Sequence, residues 1–437
     1  MGVPANINYE ILLRERNKSW MLRAWILSGL FFMALPGTLL GFSNLMAISA
    51  HHGLGTMQPA WMEGHGHAQM FGWIGSFILG IGFYSQPSRR SGLRVPVACF
   101  GFWTAGVMLR WVGNIYEWHW RSLLIVSSAL ELIAVLLFLS ASSHHKRPEA
   151  AKGTKKGMEV WMIAVLLSTA ALTAAVIFNF VECLRLAVYG ATPSFPHGLD
   201  QKYLVLLGWG FLAPVVWGFS ARWLPAFLAI DQPRARTLRV ALLMDVLGVL
   251  AGIAGWLPVA TALVAVSAMT VVFALHLTDR PHGRAKVLGI HPSFPYFIRM
   301  AYAWLVVAGC MSIWAAFGDI HGGIWGASRH ALTVGFAATM VFSIGPRILP
   351  HFCGITRLFS TRLMFASLLL LQSGCALRVS SEPLAYEGFS SYAWQVLPVS
   401  GMLELTGVLI FAVNIAATIA FGRSAFSAAG SRQAAAA

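Results

Sequence analysis

The chain has 437 residues, of which 57% are hydrophobic and 11% charged, with 17 Trp and 28 Phe. A water-soluble domain needs far more charge on its surface, so this composition excludes one and indicates an integral membrane protein. The net charge of +15 does not point to nucleic acid, because the basic residues gather in alternate loops, the mark of membrane orientation.

Taken in order, the chain opens with a polar lead containing Arg14, Arg16, Lys18 and Arg23. The first apolar run, about 24–48, is too long for a signal-peptide core and reads as a retained first helix. Further apolar spans follow at roughly 65–85, 93–113, 121–141, 159–184, 200–222, 238–256, 258–278, 297–317, 328–350, 361–378 and 395–421, each near the twenty or so residues a bilayer requires. The expected fold is therefore an all-α polytopic membrane protein with about twelve transmembrane helices. Its connectors are too short to hold a soluble domain, so residues 1–421 read as one transmembrane domain and 422–437 as a disordered Ala/Ser-rich tail.

Placing the N-terminus in the cytoplasm puts roughly 25 of the 31 basic residues in inner loops. Only Arg110, Arg121, Arg185, Lys202, Arg329 and Arg378 then fall on the outer side. An asymmetry sustained over every loop supports both the helix count and cytoplasmic termini in a bacterial inner membrane.

The same topology sorts the 14 histidines by depth. The second span opens Trp61-Met-Glu-Gly-His-Gly-His67 and places His65 and His67 at its outer end, where ionisable groups next to the membrane are functional candidates. Their bland reading is contact with water in the headgroup region. His330 lies at matching depth on the tenth span, and His51, His52, His119, His197 and His321 fall in outer loops. His351 follows His330 by about one membrane thickness, so it cannot share a metal with His330 and is a candidate ligand only on the inner face. His144, His145, His276, His282 and His291 read as solvated inner residues. The five cysteines, Cys99, Cys183, Cys310, Cys353 and Cys375, share no short spacing. This excludes a disulfide scaffold, a zinc ribbon and covalent haem attachment, so any haem here is expected to be held non-covalently, as haem b.

Two axial imidazoles on one iron need histidines from different helices at one depth, and spans two and ten supply them. On a regular helix His65 and His67 point about 200° apart and cannot both face one ion. His67 is the first choice for the iron opposite His330, with His65 left for a second metal or a hydrogen bond. Arg329 and Arg110 (with Arg121) are the candidate partners for haem propionates, although lipid contact explains them about as well. His51, His52, His65 and His321 are the candidates for a copper. Arg-x-Leu-Pro-x-Phe recurs at Arg222–Phe227 and Arg347–Phe352, four spans apart on one face, and suggests three four-helix units around a pseudo-threefold axis. Arg222, Arg347 and His351 are candidates for an inner anion site. Glu131, Asp245 and Glu404, inside spans, read slightly better as interhelical ties than as a proton path. Cys183 beside Glu182 reads as a structural thiol before a copper ligand.

The four-helix spacing with histidines on spans two and ten resembles subunit I of haem–copper oxidases and nitric oxide reductases. Those enzymes hold a copper with histidines on helices six and seven. Spans six and seven here contain none, so the binuclear centre has no counterpart. A closer resemblance is to the NnrS family of bacterial membrane proteins. Its second-helix motif, Trp/Gly-His-x-His-Glu-Met-x-Phe-Gly, is similar to Gly64-His65-Gly66-His67-Ala68-Gln69-Met70-Phe71-Gly72. Its later His-Ala-Leu-Thr-Val-Gly, then Met and Arg, is similar to His330–Gly335, Met340 and Arg347. Ala68 stands where that family has Glu, with Glu63 a candidate substitute. The resemblance implies haem, copper and a role in the response to nitric oxide. The alternative is a transporter without redox chemistry, whose first, sixth and tenth helices are interrupted at Pro36-Gly37, Pro214 and Pro346.

Overall fold

The computed structural model describes residues 5–55, 57–85, 93–143, 158–287, 289–355 and 357–422, with side chains from Glu15 onward. His144, His145, the basic segments 86–92 and 144–157 and the tail 423–437 lie outside the described residues.

Every long element is a helix, and no strand occurs among the described residues. The helices are α1 (5–51), α2 (59–85), α3 (Arg94–Tyr116), α4 (Trp120–Ser143), α5 (Val160–Tyr189), α6 (His197–Leu228), α7 (Ala235–Ala254), α8 (Leu257–Ala274), α9 (Phe294–Gly318), α10 (Gly323–Phe352), α11 (Thr361–Tyr386) and α12 (Ala393–Phe421). Eleven of them are long and apolar enough to cross a membrane. The other is α2, an unbroken helix whose first turns carry Glu63, His65 and His67. The expected all-α polytopic architecture is therefore the observed one. Several helices overrun the predicted spans, most of all α1, which begins at Ala5, and α11, which runs on to Tyr386, where polar residues continue the helix past its apolar core.

Packing divides the chain into three units of four. The tightest pairs are the hairpins α3/α4, α7/α8 and α11/α12. Within each unit the first helix packs on the second: α1 on α2, α5 on α6, α9 on α10. Units then join in sequence, α4 to α5 and α8 to α9, and α12 closes the ring on α1. The second helices of the units, α2, α6 and α10, are the most buried and line the centre.

Equivalent positions follow from the backbone. Each inner helix contains one π-helical stretch: Ala68–Gly75, Leu206–Leu212 and Ala331–Ala338. Glycine is the fifth residue of each, at Gly72, Gly210 and Gly335. A β-carbon there would lie 2.6 Å from Phe32 on α1, 3.3 Å from Ala171 on α5 and 2.6 Å from Trp304 on α9. At Gly72 and Gly335 the first two helices of the unit approach closer than a β-carbon permits, and at Gly210 the approach is tight. The outer hairpins repeat as well. Gly106 sits 2.9 Å from the Ser127 carbonyl and 2.8 Å from Glu131, measured from an added β-carbon; Gly374 does the same at Ser400 (2.8 Å) and Glu404 (2.6 Å). Gly248 meets Ala260 (3.2 Å) and Val264 (2.8 Å) in the middle unit.

Pro36 lies inside a further π stretch in α1, Met33–Leu39, and Pro214 follows directly on that of α6. Widened turns free the carbonyls a proline would clash with at Pro36 and Pro214, and α1, α6 and α10 all run on without unwinding.

Candidate functional site

The residue immediately before each π stretch is His67, Val205 or His330. His67 and His330 are thus the same position in the first and third units. Around a threefold axis, equivalent side chains face different interfaces and not one another. The expectation that His67 pairs with His330 is corrected on this ground: His67 turns to α4 and α5. The histidine on which His330 acts electrostatically is His65, two residues earlier on α2, carried by the neighbouring unit.

At the interface between the first and second units, His67 Nε2 and Glu131 Oε1 are 2.7 Å apart, and Asn179 Nδ2 donates to Glu131 Oε2 at 3.0 Å. His67 is 8% exposed, and Glu131 and Asn179 are fully enclosed. Its imidazole stacks on Phe71, which stacks on Trp103. Arg110 donates to Glu63 at 3.1 Å and to Cys183 at 2.6 Å. Glu63 also accepts from the backbone N–H of Phe195. Glu63 and His67 are one helical turn apart, so Glu63 serves His67's face of α2. Arg110 is spent on these contacts, which leaves it poorly placed for a propionate. A carboxylate acceptor makes Nε2 the protonated nitrogen of His67, and this histidine is consumed by the protein itself.

At the interface between the third and first units the arrangement inverts. His65 Nδ1 donates to the Gly37 carbonyl at 2.8 Å, and its ring fills the space where Gly41 would have a β-carbon, 2.4 Å away. His330 Nδ1 donates to the Gly326 carbonyl at 2.9 Å and lies 3.3 Å from Glu382 Oε2. Arg378 holds Glu382 at 3.1 Å. His330 and Arg378 act electrostatically on His65, and His330, Arg378 and Glu382 on Glu404. Carbonyls only accept, so both Nδ1 atoms carry the proton, and in the neutral imidazole each Nε2 then keeps a free lone pair. The hydrogen bonds of both rings among the described residues run through Nδ1, and Glu404 Oε1 is buried without a partner.

The two interfaces draw on one inventory. Gly106-Val-Met-Leu-Arg110 matches Gly374-Cys-Ala-Leu-Arg378, and Ser127-Ser-Ala-Leu-Glu131-Leu matches Ser400-Gly-Met-Leu-Glu404-Leu. Each site holds one arginine, two carboxylates and the histidine before the π stretch. Tyr203 of α6, stacked on Phe178 with a buried, unpartnered hydroxyl, occupies at the first interface the place His65 occupies at the third. The interface between the second and third units carries Val205, Gly252 and Val264 from the middle unit and Ser328 from α10 at these positions, and so has no counterpart. Glu131 and Glu404 are therefore not isolated carboxylates, and Arg378 and Glu382 are site residues that span-by-span reading passes over. The Gly-x-x-Leu-Arg and Ser-x-x-Leu-Glu-Leu repeats are the sequence signal that finds them.

The remaining candidates lie apart. His51 bonds its own helix at Ala47, His52 stacks on Trp394, and the exposed His321 rests on Glu387. Among the described residues no group of three or more His, Cys, Asp or Glu is placed to hold a metal ion. Arg329 reaches across to Gln201 of α6 and, like Arg110, acts on Asp200. On the opposite side Arg222 lies over Trp161, Arg347 lies over Phe227, and His351 is exposed, so these three do not converge on an anion.

Residues 160–420 match the family described as a domain of unknown function, DUF8744. The chain belongs to that family. The part of this DUF8744 protein that matches runs from α5 almost to the end of α12, so His330, Arg378, Glu382 and Glu404 fall inside it, while His65 and His67 precede it. No curated protein matches the chain.

Proposed function

We propose that this DUF8744 protein is a haem-binding protein of the bacterial cytoplasmic membrane, similar to the NnrS family, that acts in the response to nitric oxide. His65 and His330 are the axial ligands in this reading. One observation carries it: two neighbouring imidazoles from different helices, each fixed through Nδ1–H to a carbonyl, each leaving Nε2 unpaired. Ligating histidines are held in this way, because the anchored nitrogen fixes the tautomer and aims the other at the metal. Arg329, at the same outer end, is the propionate partner. The donor set fits haem b, whose iron would supply a coordination site for nitric oxide. In this reading both termini are cytoplasmic, on the strength of the basic-loop asymmetry.

The test is iron and haem analysis of the full chain purified in detergent, with an anaerobic optical spectrum before and after nitric oxide. A haem spectrum that changes on adding nitric oxide is expected. Purified, folded protein without haem, after expression with added haem precursor, overturns the reading.

A further inference from the structure

The first and third interfaces share an inventory, yet their histidines present opposite nitrogens, and two exchanged positions account for it. Four residues before the histidine stands Glu63 in the first unit and Gly326 in the third. Four residues after the arginine stands Asn114 in the first unit and Glu382 in the third. Both units thus keep one arginine–carboxylate pair. The carboxylate comes from the inner helix at Glu63 and from the arginine's own helix at Glu382.

Glycine at 326 is what admits the exchange. A β-carbon there would lie 2.2 Å from Glu382 Oε1 and 2.8 Å from its Cδ, so any larger residue would displace the carboxylate. Glu382, 4% exposed, then reaches His330 Nδ1 at 3.3 Å while Arg378 grips it at 3.1 Å. In the first unit Arg110 is engaged by Glu63, the residue at the Glu382 position is the neutral Asn114, bonded to Ala60, and His67 turns Nε2 to Glu131.

We infer that Glu382, admitted by Gly326 and held by Arg378, is the positioning residue that makes His330 a ligand: it secures the Nδ1–H tautomer and turns Nε2 away from Glu404 toward the neighbouring unit. The first unit, lacking this carboxylate, carries a closed copy of the same site. The inference rests on the haem reading. A carboxylate behind a ligating imidazole raises its donor strength, and removing such a partner typically lowers metal affinity about 10–100-fold.

The experiment compares wild type, Glu382→Gln, Glu382→Asp, Gly326→Ala and Glu63→Gln, each as full chain with haem added back in titration. The readouts are haem affinity, the optical spectrum and the midpoint potential. Glu382→Gln is expected to weaken haem binding about 10–100-fold and to raise the potential of what still binds, with Glu382→Asp restoring part of both. Gly326→Ala removes no charge, only the space for the carboxylate, and is expected to shift both readouts in the same direction; it decides the matter if Glu382→Gln does not accumulate. Glu63→Gln is expected to leave the spectrum and potential unchanged. Wild type that binds haem while Glu382→Gln and Gly326→Ala keep its affinity and potential overturns this inference alone. Wild type that takes up no haem overturns the reading beneath it.

Discussion

Two histidines a residue apart on α2 have opposite fates, and the difference lies in which nitrogen each keeps for itself. His67 gives its Nε2 proton to Glu131 inside a fully enclosed pair; His65 gives its Nδ1 proton to a carbonyl and holds a lone pair in reserve. Removing His67 leaves the enclosed Glu131 short of one of its two hydrogen-bond partners, at a cost of about 1–3 kcal/mol. His67→Ala is accordingly expected to lower unfolding stability in detergent by about that amount while the protein that remains folded keeps its haem spectrum. That His65 and His67 point apart was legible in their spacing. Which one meets His330 was not, because it depends on the axis relating the units. On the face opposite the site, Asp279 accepts from His276 at 2.6 Å, and this hydrogen bond holds its carboxyl below the ordinary range, with Arg234 adding to the effect. A lowered folded-state pKa means a contribution present above the unfolded carboxylate value and lost as pH falls through the folded one. Asp279→Asn should therefore flatten the acid limb of the stability–pH profile and leave the curve above that window unchanged in shape.

Among elements, the inner helices show how π stretches and glycines work together. Gly72, Gly210 and Gly335 each let a first helix approach the second, and a β-carbon at Gly335 would lie 2.6 Å from the Trp304 ring. Gly335→Ala overpacks this contact and is expected to cost about 1–3 kcal/mol. Gly101 on α3 faces open space, so Gly101→Ala is expected to be neutral or to stabilise by about 0.5–1 kcal/mol. Thermal unfolding of the two variants side by side checks both signs. Helix existence and order were readable from apolar runs because a bilayer demands both length and hydropathy. The widened turns were not, since nothing in local composition marks a π stretch apart from helix until neighbours pack on it.

For the whole molecule, three units closing as a ring set where chemistry gathers. The Arg-x-Leu-Pro-x-Phe recurrence pointed to that symmetry, but the stronger evidence lay in Gly106–Arg110 against Gly374–Arg378 and Ser127–Glu131 against Ser400–Glu404. Of three quasi-equivalent interfaces, one has lost the histidine, arginine and glutamate of the shared inventory, one is closed by its own ion pairs, and one presents two imidazole nitrogens without hydrogen-bond partners. Duplication followed by divergence produces this grading, because a buried site that loses its ligand is cheapest to close with an internal carboxylate or to fill with apolar residues. Orientation follows from the basic loops, and a fluorescent protein fused at the C-terminus is expected to mature and fluoresce in the cytoplasm, whereas a periplasmic phosphatase fused there is expected to stay inactive. The most direct test of the account is the optical spectrum of purified wild type beside His65→Ala, His330→Ala and His67→Ala. The pairing across the third interface predicts a haem spectrum in wild type and His67→Ala that is lost or converted to a singly ligated form in both His65→Ala and His330→Ala. Loss of haem in His67→Ala with full retention in His65→Ala would contradict it.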